Sequence, residues 1–154
     1  MAMRNGVTVK DRGWNRIKRE MTKASGSGVK VGVQADVKPR KDPTEDMLEI
    51  AVINEFGSGH IPERSFIRAS FDKYGPSLDS YKTRLMAQVI AGKLPMKKAL
   101  GWLGKLHQGQ IQGYIKELDT PPNAPSTIAR KGADNPLIDT GQLRRSIDFK
   151  VVMK

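Results

Sequence analysis

A stretch near the C-terminal end of the chain, residues 123–147, constrains the fold more than any other. Two prolines and two glycines interrupt it, so neither a long helix nor a strand fits until its last residues. Loops of such length inside a compact domain are usually functional or disordered. Its apolar residues argue against disorder, because each is spaced as though it fills a pocket: Ile128, Leu137, Ile138 and Leu143.

We therefore predict an extended arm over residues 119–141, shortly before a C-terminal strand. Two placements are open for this arm. It either packs as an ordered loop on its own domain, as long loops in single domains do, or it lies on a neighbouring subunit. We expect the second placement, with Pro125 and Arg130 among the contact residues.

Composition limits the class of protein. A chain of 154 residues can bury a sizeable core, and we predict a single domain over residues 1–154. The absence of cysteine excludes disulfides, thiolate zinc sites and thiol nucleophiles. The first residues lack the apolar run of a secretion signal, and no stretch is apolar for long enough to span a membrane. We expect synthesis in the cytoplasm and no membrane partner.

Charge is distributed unevenly along the chain, whose formal net charge is +11. Residues 1–43 contain eleven Lys or Arg and four acids, whereas residues 44–56 contain four acids and no base. This pattern predicts a basic face and a small acidic one. Polyanionic partners are one consequence, and head-to-tail self-association into rings or filaments is another. Solvated charge without any partner is the third explanation for each patch.

Local patterns predict an α+β fold, a small antiparallel sheet packed against several helices, with the long extended loop before the C-terminal strand. Alternating apolar residues predict strands at 29–33 and 147–152. Because two strands alone are marginal, we expect a third from residues 7–9 or from a neighbouring subunit. Apolar residues at spacings of three and four predict helices over these ranges: 11–24, 42–56, 66–74, 77–90 and 95–118.

The helical segments differ in what they predict. The helix over 42–56 is apolar around most of its circumference, so we expect it to be central and buried, with Asp42 as its cap and Pro43 in its first turn. Gly75 and Pro76 are expected to break or kink the next helical stretch. The glycines inside 95–118 leave two explanations open, close packing of the helix backbone or a break near Gly109.

Catalytic chemistry has little support in the sequence. His60 and Glu63 lack the second histidine that a zinc hydrolase motif requires. The glycine-rich residues 25–30 precede a strand, whereas a phosphate-binding loop opens a helix. His107 lies within a helical pattern, and we expect it to be a surface or partly buried residue without a catalytic role. We predict no catalytic residue, no metal and no cofactor.

Nucleic-acid binding is the rival function. Basic residues form three clusters: Lys38, Arg40 and Lys41; Lys97, Lys98 and Lys105; Arg144 and Arg145. Such side chains suit phosphate contacts. They accompany no DNA-reading motif, and few aromatic residues are present to stack on bases. Nonspecific contact with DNA therefore remains open, and sequence-specific recognition is not expected.

Two clusters of residues form a pair of motifs. Residues 54–58 are Asn-Glu-Phe-Gly-Ser, and His-Ile-Pro-Glu-Arg-Ser-Phe-Ile-Arg follows at 60–68. Residues 122–132 and 136–147 form the second cluster, which contains Pro-Leu-Ile-Asp-Thr-Gly-x-Leu. In this order, the two clusters resemble the signature of neck and tail-completion proteins of tailed bacteriophages. The match departs at Ser65, where the family usually has proline, and at Ser58, where threonine is common. Ser65 can still cap the following helix.

The resemblance implies a structural, non-catalytic α+β subunit of a virion. Such subunits form a ring, here expected to hold about six or twelve copies, at the junction between head and tail. Connector, portal-side or tail-tube proteins are its implied neighbours. The residues expected at its interfaces lie in the two motifs: Glu55, Phe56, Gly57, Pro62, Arg64, Phe66, Arg68, Pro125, Ile128, Arg130, Leu137, Ile138, Asp139, Thr140, Gly141, Leu143 and Arg144.

Two details of the motifs carry physical expectations. Arg64 and Arg68 are expected to point along one face and to pair either with Glu55 or with acids of a neighbour. Asp139 or Thr140 is expected to bind free backbone amides, while Gly141 adopts a backbone angle that other residues avoid.

Overall fold

The computed structural model describes residues 11–34 and 46–154. In this part of the chain, six helices and one two-stranded antiparallel sheet form an α+β fold, which confirms the predicted class. The elements in chain order are α1 (Trp14–Ala24), β1 (Gly28–Val33), α2 (Met47–Phe56), α3 (Phe66–Ile90), α4 (Met96–Glu117), α5 (Pro125–Lys131), α6 (Gln142–Ser146) and β2 (Ile147–Val152).

The sheet pairs β1 with β2, so that Gly28 lies opposite Val152 and Val33 opposite Ile147. The third strand predicted at residues 7–9 lies outside the described residues. Helix α4 packs against the sheet, with Gly104 buried at the contact. A Cβ built on Gly104 would lie 2.5 Å from Cδ2 of Phe149. The predicted break near Gly109 is wrong, because α4 runs unbroken through it. Close packing explains Gly104 but not Gly101, Gly109 or Gly113, where a Cβ would meet no atom within 4 Å.

Two hydrophobic clusters form the core around the pair α3 and α4. The first lies at the start of α3, and its buried members are Ala51, Phe66, Ile111, Ile115, Leu137, Leu143 and Ile147. The second lies at the end of α3, and its buried members are Leu85, Val89, Leu94, Met96 and Ala99. Because α3 and α4 contribute to both clusters, these two helices form the frame that holds the other elements.

Helix α3 continues through Pro76 as one helix of 25 residues, so of the predicted break or kink at Gly75 and Pro76 the break is wrong. A proline inside a helix removes one hydrogen bond and costs about 3 kcal/mol. Packing on both sides of the proline offsets that cost: Phe66 and Ser70 are buried before it, and Leu78 and Leu85 after it. Burial along a single face therefore outweighs the local preference for a break.

Helix α2 is not the buried central helix that its composition predicts. Met47, Ala51 and Glu55 are buried, whereas the side chains on another face are exposed to 39% at Leu48, 48% at Val52 and 62% at Phe56. The helix begins at Met47 with Asp46 as its N-cap, and the predicted cap residues 42 and 43 lie outside the described residues. Neighbouring elements contact α2 on one side, which its sequence could not reveal.

Helix α1 occupies most of its predicted range but has no buried residue. Ala24 packs beside the second core cluster, and Arg16 donates a hydrogen bond to the carbonyl of Ile90. Trp14 is 68% exposed and Met21 46% exposed. The amphipathic pattern therefore predicted the helix correctly, although the structure leaves part of its apolar face in solvent.

Gly104→Ala is expected to destabilise the fold by about 1–3 kcal/mol, because the new methyl group would overlap the Phe149 ring and the Val29 side chain. Gly109→Ala is the matched control, since a Cβ there meets no atom within 4 Å. Alanine at this second position should stabilise the helix by up to about 1 kcal/mol. Urea unfolding of both variants measures the difference, and equal effects of the two substitutions would contradict the proposed close contact.

Candidate functional site

The segment before β2 lies on its own domain. Leu137 and Leu143 are 5% and 6% exposed, and Ile138 packs against the same core cluster. For these three residues the expected pocket on a neighbouring subunit is wrong, because the pocket lies within the same chain. The segment is also more regular than predicted: Pro125 opens α5, and Gly132, with a φ of 68°, ends it.

Glu55 is a buried carboxylate at the centre of the first motif, with 5% exposure. Its Oε2 accepts a hydrogen bond from the Ile67 amide at 2.9 Å, and its Oε1 accepts one from the Arg68 amide at 3.0 Å. The Arg68 Nε also donates to Oε1 at 3.1 Å. The carboxylate thus binds the free amides at the start of α3, where the helix dipole favours negative charge.

Arg68 belongs to this network. Its guanidinium also donates to the Glu55 carbonyl at 2.7 Å and to Glu63 Oε1 at 2.8 Å. The hydrogen bond to Glu55 raises the pKa of Arg68. Of the two pairings that the sequence left open, Arg68 makes the one with Glu55. The expected pairing of Arg64 with Glu55 is wrong, because Arg64 bonds backbone carbonyls instead.

Ser65 occupies the N-cap position of α3, but its side chain makes no capping hydrogen bond in the described part of the chain. The predicted capping of α3 by the Ser65 side chain is therefore wrong. Glu55 already binds the amides of Ile67 and Arg68 that a serine cap would satisfy. Sequence reasoning missed this role because the carboxylate comes from the preceding helix.

Arg64 joins the first motif to the second. Its side chain is buried, with 7% exposure, and it donates from Nε to the Pro121 carbonyl and from Nη2 to the Pro122 carbonyl, each at 2.9 Å. Burial lowers the pKa of Arg64. Its planar fork of donors suits this two-point contact, which anchors the start of the 121–136 segment on the corner after α2.

Gly57 and Gly141 hold the two turns of the motifs. Gly57 has a φ of 76°, and a Cβ built there would lie 3.0 Å from the Glu63 amide nitrogen and 3.1 Å from the Ile61 carbonyl. Gly141 has a φ of 74°, the positive angle that the sequence predicted. The expected capping by Asp139 or Thr140 is wrong, since no side chain caps α6 among the described residues.

Two asparagines fix the loop and were not predicted from the sequence. Asn123 is buried and donates to the carbonyls of Asp134 and Asn135 at 3.1 and 3.3 Å. Asn135 accepts from the Leu137 amide at 3.1 Å and donates to the Lys116 carbonyl at 3.0 Å. The sequence feature that could have predicted this role is the position of both asparagines beside prolines, because short side-chain amides in such turns often bind nearby backbone groups.

Burial separates the seventeen predicted interface residues into three groups. Five are buried and hold the fold: Glu55, Arg64, Phe66, Leu137 and Leu143. Five are partly buried: Gly57, Ile128, Ile138, Gly141 and Arg144. The remaining seven are exposed and accessible to a partner: Phe56, Pro62, Arg68, Pro125, Arg130, Asp139 and Thr140. The predicted site is therefore mainly a folded corner with an exposed rim.

An apolar groove of about 380 Å³ lies between β1, α3 and α4. Phe71, Leu78 and Val29 line it together with His107, whose ring lies 5.7 Å from that of Phe71. The Nε2 atom of His107 is buried without a hydrogen-bond partner in the described part of the chain, and burial lowers the pKa of this histidine. Residues 11–34 and 46–154 contain no group of three His, Asp or Glu that could hold a metal ion.

The predicted basic clusters do not form one patch in the described residues. The cluster at residues 38–41 lies outside them. Lys97 and Lys98 are exposed at the start of α4, ten residues before Gln108, which corresponds to about 15 Å of helix. Gln108 bonds the Ile147 carbonyl at 2.7 Å, next to α6 and its two arginines. Lys97 and Lys98 are therefore separated from the arginines along α4, whereas Lys105, which donates to Gln108 Oε1 at 3.2 Å, lies at the arginine end.

Comparison with known proteins identifies no relative: no family model, no curated protein and no solved structure matches the chain. Among the described residues, every helix is too short or too polar to cross a membrane.

Glu55→Gln is expected to destabilise the protein by about 1–3 kcal/mol, because an amide NH₂ group would replace one acceptor among three donors. Ser65→Ala should change stability by less than about 0.5 kcal/mol, since its hydroxyl does not cap α3. Chemical unfolding of the two variants measures both effects. A larger loss at Ser65 than at Glu55 would show that the serine caps the helix in solution.

His107 is expected to make stability depend on pH below neutrality. Its pKa is lowered from 6.5 in the fold, so the unfolded chain binds a proton first as the pH falls. The stabilising contribution is complete above pH 6.5 and is lost below it. His107→Gln should reduce the loss of stability between about pH 7.5 and pH 5.5. His60→Gln, at an exposed turn, is the control and should retain the wild-type profile.

Proposed function

We propose that the chain is a structural virion protein of a tailed bacteriophage, a neck or tail-completion subunit at the head-to-tail junction. The observation that carries the proposal is the contact between the two motif regions. Arg64 bonds the carbonyl of Pro122, 58 residues away, at the start of the second motif region. Phe66 of the first motif shares a core cluster with Leu137 and Leu143 of the second. The stretches that carry the resemblance therefore form one structural unit.

The chemistry of the motif residues supports a structural role. Glu55, Arg64 and Arg68 bind backbone groups and one another, so the charged residues of the corner organise the fold. The rim around them remains accessible, with Phe56 and Pro62 on one side and Pro125 and Arg130 on the other. Contacts with copies in a ring of about six or twelve, and with connector, portal-side or tail-tube proteins, would use such exposed residues.

A basic nucleic-acid-binding accessory protein is the second candidate. The net charge of +11 and the exposed Lys97 and Lys98 favour it. The two functions predict different behaviour in solution at moderate salt. A neck subunit should form a defined oligomer without DNA, whereas the rival should remain a monomer whose size changes only when DNA is added.

Particles produced from the genome that encodes the chain test the neck assignment. A tag added after the exposed Lys154 should be labelled at the junction between head and tail in electron micrographs of intact particles. Deletion of the gene should yield heads and tails that fail to join. Absence of the chain from purified particles, or a label on another part of the virion, would contradict the assignment.

A further inference from the structure

Helix α2 presents an apolar strip with an acidic flank. Leu48, Val52 and Phe56 recur every four residues, so they lie on one face of the helix, and all three are exposed. Glu49 lies beside them, and Asp46 caps the start of the helix through the Leu48 amide. Residues 46–56 contain no base, and the guanidinium of Arg68 lies 4.8 Å from the centre of the Phe56 ring. We call this face the acidic strip. Three neighbouring exposed apolar side chains on one short helix typify a surface that a partner covers.

Helix α1 presents the complementary pattern. Trp14 and Met21 are seven residues apart and therefore share a face, with exposures of 68% and 46%. Lys18 is exposed and lies between them on that face, whereas Arg19 and Lys23 lie farther round the helix and Lys23 pairs with Glu20. We call this face the basic strip. Tryptophan and methionine are enriched in protein interfaces, which favours a protein partner for this surface.

The two strips match in length as well as in charge. Helix α1 has 11 residues and α2 has 10, so each is about 15 Å long. A basic apolar strip and an acidic apolar strip of equal length can bury their apolar residues against each other while their charges pair at the rim.

One copy of the chain cannot bring its own strips together. Helix α2 joins the first core cluster through Ala51, near Phe66 at the start of α3. Helix α1 joins the second cluster through Ala24, and Arg16 bonds Ile90 at the end of α3. The 25 residues of α3 separate these ends by about 37 Å. Within the residues that the structure describes, neither strip can therefore cover the other in the same copy.

We propose that the basic strip on α1 of one copy docks on the acidic strip on α2 of the next copy. The contact joins unlike surfaces, so it is heterologous and repeats from copy to copy until a ring closes or a filament grows. Lys18 lies opposite Glu49 in this arrangement, and Trp14 packs among Leu48, Val52 and Phe56. The inference rests on the proposed function in one respect, since it names the surfaces through which a neck subunit would form its ring.

Two single substitutions, each blocking one strip, test the proposal. Trp14→Asp blocks the basic strip, and aspartate suits the first turn of a helix, so the fold should be retained. Val52→Asp blocks the acidic strip. Trp102→Asp is the matched control, because Trp102 is the other tryptophan of the chain and is 48% exposed on α4. Circular dichroism verifies that all three variants fold.

Sedimentation over a range of protein concentrations gives the readout. The wild-type chain and Trp102→Asp should form oligomers larger than dimers, and each blocked variant alone should remain a monomer. An equimolar mixture of Trp14→Asp and Val52→Asp should form a dimer that grows no further, because each partner keeps one functional strip. A mixture that stays monomeric, or a wild-type chain that is monomeric throughout or assembles only on DNA, overturns the proposal.

Reversal of the charged pair gives a second, independent readout. Lys18→Glu and Glu49→Lys should each weaken self-association by about tenfold or more, and the double variant should recover most of it. Failure of this recovery overturns the assigned pairing. This outcome is separate from that of the particle-labelling test. If the tag is labelled at the head-to-tail junction but α1 and α2 make no contact, only the proposed interface is contradicted. If the chain assembles through α1 and α2 but the junction is not labelled, only the proposed neck function is contradicted.

Discussion

The carboxylate of Glu55 is the interaction on which the corner of the molecule depends. A buried charge is unfavourable unless it is paired, and Glu55 accepts hydrogen bonds from two backbone amides and from Arg68. These bonds fix the start of α3 relative to the end of α2. The turn between the helices then directs Arg64 toward the carbonyls of Pro121 and Pro122. A single carboxylate thus determines where the long C-terminal segment crosses the domain.

Local patterns predicted the elements whose stability is local. The period-two alternation of β1 and β2 and the apolar spacing of α4 gave boundaries within about two residues of those observed. The continuity of α3 was not predicted, because Pro76 is unfavourable within a helix and only packing along the whole helix compensates for it. The burial of α2 was overestimated because its composition reveals that it is apolar but not which sides have neighbours.

The candidate site was predictable in its members and less so in its contacts. The motifs identified Glu55, Arg64 and the glycine turns, which the structure brings into one corner. Glu55, and not the Ser65 side chain, binds the free amides at the start of α3. Predicting this would have required knowing where an element outside that helix lies. The pockets for Leu137 and Leu143 were anticipated, but spacing along a chain cannot distinguish a pocket in the same subunit from one in the next.

The unbroken course of α3 has a consequence for the geometry of any assembly. Because the helix is continuous through Pro76, α3 alone connects the end that carries α1 to the end that carries α2. In the proposed assembly, the length of α3 would set the repeat distance between copies, and the angle between its two end surfaces would set the curvature. The number of subunits in a closed circle would then be encoded in a helix that lies outside the proposed contact.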